Sequence, residues 1–163
     1  MKKVFPILSF VVVLTLMVES CTKNKGLANI DTALLNEARA QGFIYYQNEA
    51  LLPGVAPSPH GSFKLRVNSV AASVLDSLGE LPVGTAFPEG SLIVKDIYEN
   101  GKISLYSIMK KSASSSYSGN GWIWAEIKPD GKALVSAESR GKSCISCHSG
   151  TPNRDLVRTY DLH

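Results

Sequence analysis

The sequence has few of the residues that build disulfide-stapled domains or protein-bound metal sites. Its 163 residues include three cysteines and three histidines. A disulfide scaffold would need more cysteine pairs, and a zinc site would need further thiols or imidazoles beyond His60 and His163. The charges nearly balance, with 17 Lys and Arg against 14 Asp and Glu. Because no dense basic patch occurs, nucleic acid is not an expected partner.

The first twenty residues have the pattern of a secretory signal peptide. Two lysines precede an apolar run over 4–18, which is too short for a comfortable membrane span. The run ends in "VESC", the spacing of a bacterial lipobox, in which Glu19 is atypical. We predict a signal peptide over 1–20, lipidation of Cys21 and a tether over 21–29, which would hold the protein on the periplasmic side of a bacterial membrane. Ordinary cleavage nearby, with Cys21 left as a thiol, is the alternative.

The remaining residues, 30–163, predict one α+β domain in which two short helices precede an antiparallel sheet. Segments 31–42 and 68–79 each have a capping residue and a terminal glycine, as helices do. Segment 51–63 contains three prolines and two glycines and is predicted to be a loop. The serine-rich segment 111–121 is predicted to be a mobile connection. Strands are predicted from β-branched runs between tight turns, over 91–98, 103–110, 122–127 and 133–138.

A "CISCH" motif lies near the C-terminus. In this motif Cys144 and Cys147 would form thioethers with the two vinyl groups of a haem, and His148 would bind the iron as proximal ligand. The sequence therefore predicts one covalently bound haem c, completed outside the cytoplasm as the signal peptide also indicates. A redox-active pair would need a thioredoxin-like βαβ context, which is not predicted here. A simple disulfide between the two cysteines is the remaining alternative.

The sixth position of the iron has no evident ligand. Only fifteen residues follow His148, and none is methionine. Met109 lies in a predicted strand, and His60 lies in the proline-rich loop, so neither is placed like the axial methionine of ordinary cytochromes c. We predict a five-coordinate iron with an open face that binds a small molecule. Cytochromes c′ also have a late motif, but their four-helix bundle is excluded by the predicted strands.

Five segments carry a resemblance to a known family. They are 58–68 ("SPHGSFKLRVN"), 87–95 ("FPEGSLIVK"), 119–127 ("GNGWIWAEI"), 144–148 ("CISCH") and 155–160 ("DLVRTY"). In sequence and in order they resemble the cytochrome P-460 family. The resemblance implies an antiparallel sheet domain with helices, often dimeric, which holds one haem c with an open distal side. Some members oxidise hydroxylamine, and the related cytochromes c′-beta bind nitric oxide or carbon monoxide.

The resemblance gives Lys95 a specific role, because it matches the lysine that is bonded to a porphyrin meso carbon in the hydroxylamine-oxidising members. Strand alternation places Lys95 on one face with Ile93 and Ile97. It lies there either at a solvated edge or in a pocket, where desolvation would leave the amine nucleophilic. Those members also present a distal carboxylate from the next strand. Here that strand, "ISLYSIMKK", has no acid. Tyr106 stands nearest the expected place, where it is either a hydrogen-bond donor to a bound ligand, though a poor base, or a core aromatic.

Other side chains have two interpretations each. Trp122 and Trp124 share a strand face and would either wall the haem pocket or pack within the sheet. Arg154 and Arg158 would either pair with haem propionates or lie on the solvated surface. These alternatives stay open at the level of the sequence.

Two functions also stay open. The first is a haem-dependent oxidoreductase of the hydroxylamine-oxidising type, which acts on hydroxylamine or nitric oxide and passes electrons to a periplasmic partner. The second is a gas-binding or electron-transfer cytochrome without turnover. The distal face separates them, because a cross-linked Lys95 with a usable base favours the enzyme and an apolar face favours the binder.

Overall fold

A computed structural model describes residues 28–56, 58–150 and 152–163. The predicted signal peptide, Cys21 and nearly all of the predicted tether lie outside these residues. Within them the chain forms a six-stranded antiparallel sheet whose strands follow one another in chain order. The strands are β1 (Ile44–Tyr45), β2 (Phe63–Val67), β3 (Leu92–Glu99), β4 (Lys102–Lys111), β5 (Trp122–Ile127) and β6 (Ala133–Val135).

The helices around the sheet are short. They are α1 (Asn29–Ala38), α2 (Ser69–Ala72), α3 (Ile145–His148) and α4 (Thr159–Leu162), with 3₁₀ turns at Tyr46–Glu49 and Ala137–Ser139. No helix in the described part of the chain has the length and apolar character that crossing a bilayer requires. The α+β class with an antiparallel meander, predicted from the sequence, is confirmed.

The central hairpin follows the predicted pattern closely. Asn100 and Gly101 join β3 to β4 with φ angles of 51° and 74°, the left-handed conformation that a two-residue turn between twisted strands requires. Segment 111–121, predicted to be a mobile connection, contains successive hydrogen-bonded turns, and Ser112 N–H donates to the Gly121 carbonyl at 3.0 Å.

The N-terminal half departs from the predicted pattern. The helix expected over 68–79 is only the single turn α2, although Asn68 caps it by accepting from the Ala71 N–H at 3.0 Å. The chain then turns, because the Asp76 carboxylate accepts from the Leu78 N–H at 2.9 Å and so competes with helix formation. The strands β1 and β2 were not predicted. The first has only two residues, and the second directly follows the proline-rich loop.

Both faces of the sheet are covered. The first, called here the site face, packs against the C-terminal segments and carries Phe63, Leu65, Ile93, Ile97, Met109 and Trp124. The second, called the α1 face, packs against helix α1 and carries Val94, Ile108, Ile123 and Ala125 together with Leu34 and Leu35 of the helix. Neighbouring residues of one strand therefore belong to different cores, as strand alternation requires.

A buried ion pair fastens α1 to the sheet. Arg66 on β2 donates from Nε and Nη2 to the two carboxylate oxygens of Asp96 on β3, at 2.7 and 2.8 Å. The same Nη2 donates to the carbonyl of Ala38, the last residue of α1, at 2.6 Å. Arg66 and Asp96 are 6% and 2% exposed, and the Phe43 ring covers the guanidinium at 4.3 Å. Removal of one partner would leave the other charge buried without compensation.

We predict that Asp96→Ala lowers the free energy of unfolding by about 3 kcal/mol, because the Arg66 guanidinium keeps its burial and loses its carboxylate. The matched control is Glu37→Ala. It removes the partly exposed pair that Glu37 forms with Lys110 at 2.7 Å, and we expect it to cost less than about 1 kcal/mol. Denaturant unfolding of the haem-loaded protein measures both. Equal losses in the two variants would contradict the assigned role of the Arg66–Asp96 pair.

Candidate haem site

The residues of the CxxCH motif lie on one helical turn. Helix α3 spans Ile145–His148, and the His148 N–H donates to the Cys144 carbonyl at 3.1 Å. Both Cys144 and Cys147 are free thiols, the first half-buried and the second exposed. One turn therefore presents two sulfurs and an imidazole to the same region, which is the donor set of a haem c.

The imidazole of His148 has a defined orientation. Its Nδ1 lies 2.7 Å from the Leu156 carbonyl oxygen. Because a carbonyl only accepts, Nδ1 carries the proton, and Nε2 is the nitrogen with a free lone pair. Burial lowers the pKa of His148, which favours the neutral form that binds a metal. The Trp124 ring packs edge-on against the imidazole with centroids 4.9 Å apart.

The Leu156 carbonyl is held in place by its neighbour Asp155. Both residues have left-handed backbone conformations, with φ angles of 50° and 69°. The Asp155 carboxylate accepts from Lys111 Nζ at 2.7 and 2.8 Å, from the Phe87 N–H at 2.8 Å and from Trp122 Nε1 at 3.3 Å. The sheet thus anchors the segment that orients His148. The sequence analysis missed Asp155, although it begins the segment "DLVRTY".

Two adjoining cavities of about 240 and 300 Å³ lie against this turn. They share the lining residues Pro59, His60, Cys147 and His148. Apolar side chains, two thiols suited to thioether formation and an imidazole with a free nitrogen meet here, so the residues present fit a haem c.

The walls of the first cavity include Met109 and Trp124 on the site face. Trp124 is fixed by a hydrogen bond from Nε1 to the Gly119 carbonyl at 2.9 Å. It also requires glycine at 141, where φ is 69° and a Cβ would lie 2.3 Å from the indole. Of the two tryptophans considered as haem walls, Trp124 is the one in the lining of these two cavities. Trp122 packs instead against Phe87 with ring centroids 5.7 Å apart.

Lys95 lies in the pocket rather than at a solvated edge. It lines the second cavity with His148, and its Nζ lies 4.2 Å from the centroid of the Phe63 ring. No carboxylate among the described residues lies within ion-pair distance of it. Burial lowers the pKa of Lys95 to about 8, so about one-tenth of the amine is neutral at pH 7.

Of the two interpretations of Tyr106, the structure supports the core aromatic and not the distal residue. Lys95 pairs across the sheet with Ser107, and Tyr106 pairs with Asp96, so the Tyr106 side chain points to the α1 face. It packs there below the guanidinium of Arg39, whose Cζ lies 5.8 Å from the ring centroid. The neighbouring residue Ser107, and not Tyr106, is the one on this part of β4 whose side chain lies on the site face.

The carboxylate that does reach the cavity belongs to Glu126 on β5. Glu126 pairs with Ser107, so Lys95, Ser107 and Glu126 form one row across three strands of the site face. Glu126 lines the first cavity, and burial raises the pKa of its carboxyl group. Glu126 was not predicted as a site residue, because the resemblance implies an acid on the strand that directly follows Lys95.

His60 also lies at the site, between the two cavities. The ends of its loop are joined by hydrogen bonds between Leu52 and Phe63 at 2.8 and 2.9 Å. His60 Nδ1 lies 3.5 Å from Glu126 Oε1. Burial, with a further contribution from the positive charge of Lys95, lowers the pKa of His60 to about 4. The imidazole is therefore neutral at pH 7 despite its acidic neighbour.

The two arginines considered for the haem propionates differ in their partners. Arg154 lies 3.2 Å from Glu80 and 3.1 Å from Asp161, and it donates to the Leu81 carbonyl at 2.6 Å. Arg158 lies 3.4 Å from Asp161 but also lines the second cavity. Arg158 is therefore the arginine that faces the site.

The chain was compared with known protein families and with curated proteins. A family model described as Cytochrome P460 matches residues 63–159, from the first residue of β2 to the first residue of α4. The matched part includes the row from Lys95 to Glu126, the CxxCH turn and the Asp155–Leu156 segment. No curated protein matches the chain.

Proposed function

Because the chain belongs to the cytochrome P460 family, we propose that it is a membrane-tethered mono-haem c protein with an open iron site. We propose that it performs redox chemistry on a small nitrogen species, hydroxylamine or nitric oxide. Membership of the family implies a haem c with iron. The observation that carries the proposal is the meeting of Cys144, Cys147, His148 and a desolvated Lys95 around the two adjoining cavities.

In this proposal Cys144 and Cys147 would hold the porphyrin through thioethers, and His148 would bind the iron through Nε2. The hydrogen bond from His148 Nδ1 to the Leu156 carbonyl orients the ring and increases the basicity of Nε2. When bound, the haem supplies an iron that exchanges single electrons and has one position for a small ligand. Met109 and Trp124 give the first cavity an apolar wall, and Trp124 also packs against the His148 ring.

Lys95 is proposed to form a covalent bond to a porphyrin meso carbon. The bond replaces an amine N–H and a ring C–H, so two electrons and two protons pass to a two-electron oxidant of the peroxide class. The neutral amine is the nucleophilic form, and the lowered pKa of Lys95 makes that form accessible near neutral pH.

The alternative is a gas-binding or electron-transfer cytochrome without turnover. This alternative is favoured by the composition of β4, the strand after Lys95, which directs no acidic side chain to the site face. Tyr106 on the same strand packs on the α1 face. Under this alternative Lys95 lines the pocket without bonding to the porphyrin. The spectrum of the haem separates the two.

The proposed setting of the protein derives from its sequence. A lipid on Cys21 would anchor the domain on the periplasmic side of a bacterial membrane. A periplasmic electron-transfer partner would then exchange electrons with the haem. A homodimer is the proposed assembly.

Both cysteines are expected to be necessary for stable covalent haem. Cys147→Ser, expressed with periplasmic export and haem-maturation machinery, should lose most haem staining on a denaturing gel, because one thioether is missing. The double variant Cys144→Ser, Cys147→Ser should lose all of it. Undiminished staining in the double variant would refute the covalent assignment.

Lys95→Arg is expected to return the protein to an ordinary haem c spectrum. A bond from Lys95 to the ring would add electron density and distort the porphyrin, so the reduced wild-type band should lie well to the red. The matched control is Lys110→Arg, the same change at a lysine that pairs with Glu37 outside the pocket, which should retain the red-shifted band. Identical spectra for wild type and Lys95→Arg would assign the protein to the gas-binding alternative.

Cys21 is expected to carry a diacylglyceryl group at the N-terminus of the mature chain. Mass spectrometry of the N-terminal peptide should show that increment, and Cys21→Ser should release the protein from the membrane fraction. A mature wild-type chain that begins elsewhere and is soluble would exclude the tether.

A further inference from the structure

Two imidazoles line the same pair of cavities. His148 and His60 are both part of the lining of the first and of the second cavity, although they are far apart in the sequence. His148 is the proposed iron ligand, so His60 is the second imidazole that a haem in these cavities would meet. Both rings have an oxygen acceptor near Nδ1, the Leu156 carbonyl for His148 and the Glu126 carboxylate for His60.

We infer that His60, oriented by Glu126, is the distal residue of the site and selects small ligands that carry N–H or O–H groups over diatomic gases. This inference rests on the proposed function, which places a haem in the two cavities that both imidazoles line. It adds a substrate class to that function and a role for two residues outside the CxxCH motif.

The position of the proton on His60 carries the inference. A carboxylate oxygen 3.5 Å from Nδ1 favours the tautomer with the proton on Nδ1. The neutral ring then has its lone pair on Nε2. No described residue forms a hydrogen bond with Nε2 in the structure, since the only hydrogen bond of His60 is from its backbone N–H to Ser58 Oγ. Nε2 is therefore an acceptor for whatever binds beside it.

An acceptor at the distal position distinguishes between small nitrogen ligands. Hydroxylamine has N–H and O–H groups that can donate to Nε2, whereas nitric oxide and carbon monoxide have no hydrogen. A distal group that favours the diatomic gases would have to donate a hydrogen bond to the bound gas. The other ionisable groups around the two cavities are Lys95, Cys144, Cys147, His148 and Arg158. In the proposed function all of these except Arg158 are bonded to the porphyrin or the iron, and Arg158 is turned toward Asp161.

The first test compares two ligands in the haem-loaded full chain. Hydroxylamine binding to the oxidised protein is measured by absorption under anaerobic conditions without an electron acceptor, and carbon monoxide binding is measured on the reduced protein. His60→Phe fills a similar space without an acceptor. We expect it to weaken hydroxylamine binding about tenfold, the equivalent of one hydrogen bond, and to leave carbon monoxide affinity within about twofold.

The second test moves the proton without removing the imidazole. Glu126→Ala removes the carboxylate, so the tautomer with the proton on Nε2 becomes populated and can donate to a bound gas. The carbon monoxide stretching frequency should fall and hydroxylamine binding should weaken. Glu99→Ala is the control, because Glu99 is an exposed carboxylate at the end of β3, and it should change neither quantity.

The outcomes separate this inference from the proposed function. A chain that binds no covalent haem would refute both. A chain with haem in which His60→Phe leaves hydroxylamine affinity unchanged would overturn the role of His60 alone. An unchanged carbon monoxide frequency in Glu126→Ala would overturn the role of Glu126 in setting the tautomer.

Discussion

The partly buried carboxylate of Asp155 is the contact through which the sheet determines the geometry of the site. It receives hydrogen bonds from β4, from β5 and from the backbone that leads into β3. The left-handed conformations of Asp155 and Leu156 are costly for residues with side chains, and these contacts compensate for them. The carbonyl of Leu156 is thereby brought to His148. A helical turn of four residues would otherwise have little to orient its imidazole.

The register of the sheet decides which side chains meet at the pocket. Lys95, Ser107 and Glu126 are opposite one another on three consecutive strands. If the strands were shifted by one residue, Asp96, Tyr106 and Ile127, which now lie on the α1 face, would take the places of these three residues on the site face. The buried pair of Arg66 and Asp96 opposes such a shift, because the shift would move both charged side chains to the apolar site face. The ion pair on one face therefore protects the arrangement on the other.

Part of this arrangement could be predicted from the sequence because it depends on neighbouring residues. The Asn-Gly hairpin, the CxxCH turn and the position of Lys95 between Ile93 and Ile97 all follow from local spacing and alternation. Strand β2 has the same alternation, but its proximity to a proline-rich loop obscured it.

The remaining site residues could not be predicted, because they depend on long-range geometry. Glu126 reaches the pocket through cross-strand pairing with Ser107. His60 reaches it because a loop is closed between Leu52 and Phe63. The resemblance indicated the strand and an approximate position for the distal residue, and Tyr106 was nearest to it. The face on which a side chain lies changes with every residue along a strand, so only the exact cross-strand pairing shows that Tyr106 lies on the α1 face.

The spacing between Lys95 and Glu126 on the site face also keeps the amine and the carboxylate apart. Neighbouring strands lie about 4.8 Å apart, so groups separated by an intervening strand are about 10 Å apart at their backbones. With Ser107 between them, Lys95 and Glu126 do not form an ion pair in the structure. A direct pair would raise the pKa of the lysine and hold the carboxylate. Instead Lys95 keeps the lowered pKa that burial imposes, and Glu126 remains available to His60. The sheet thus places a nucleophilic amine and an imidazole–carboxylate pair around one pocket without allowing them to neutralise each other.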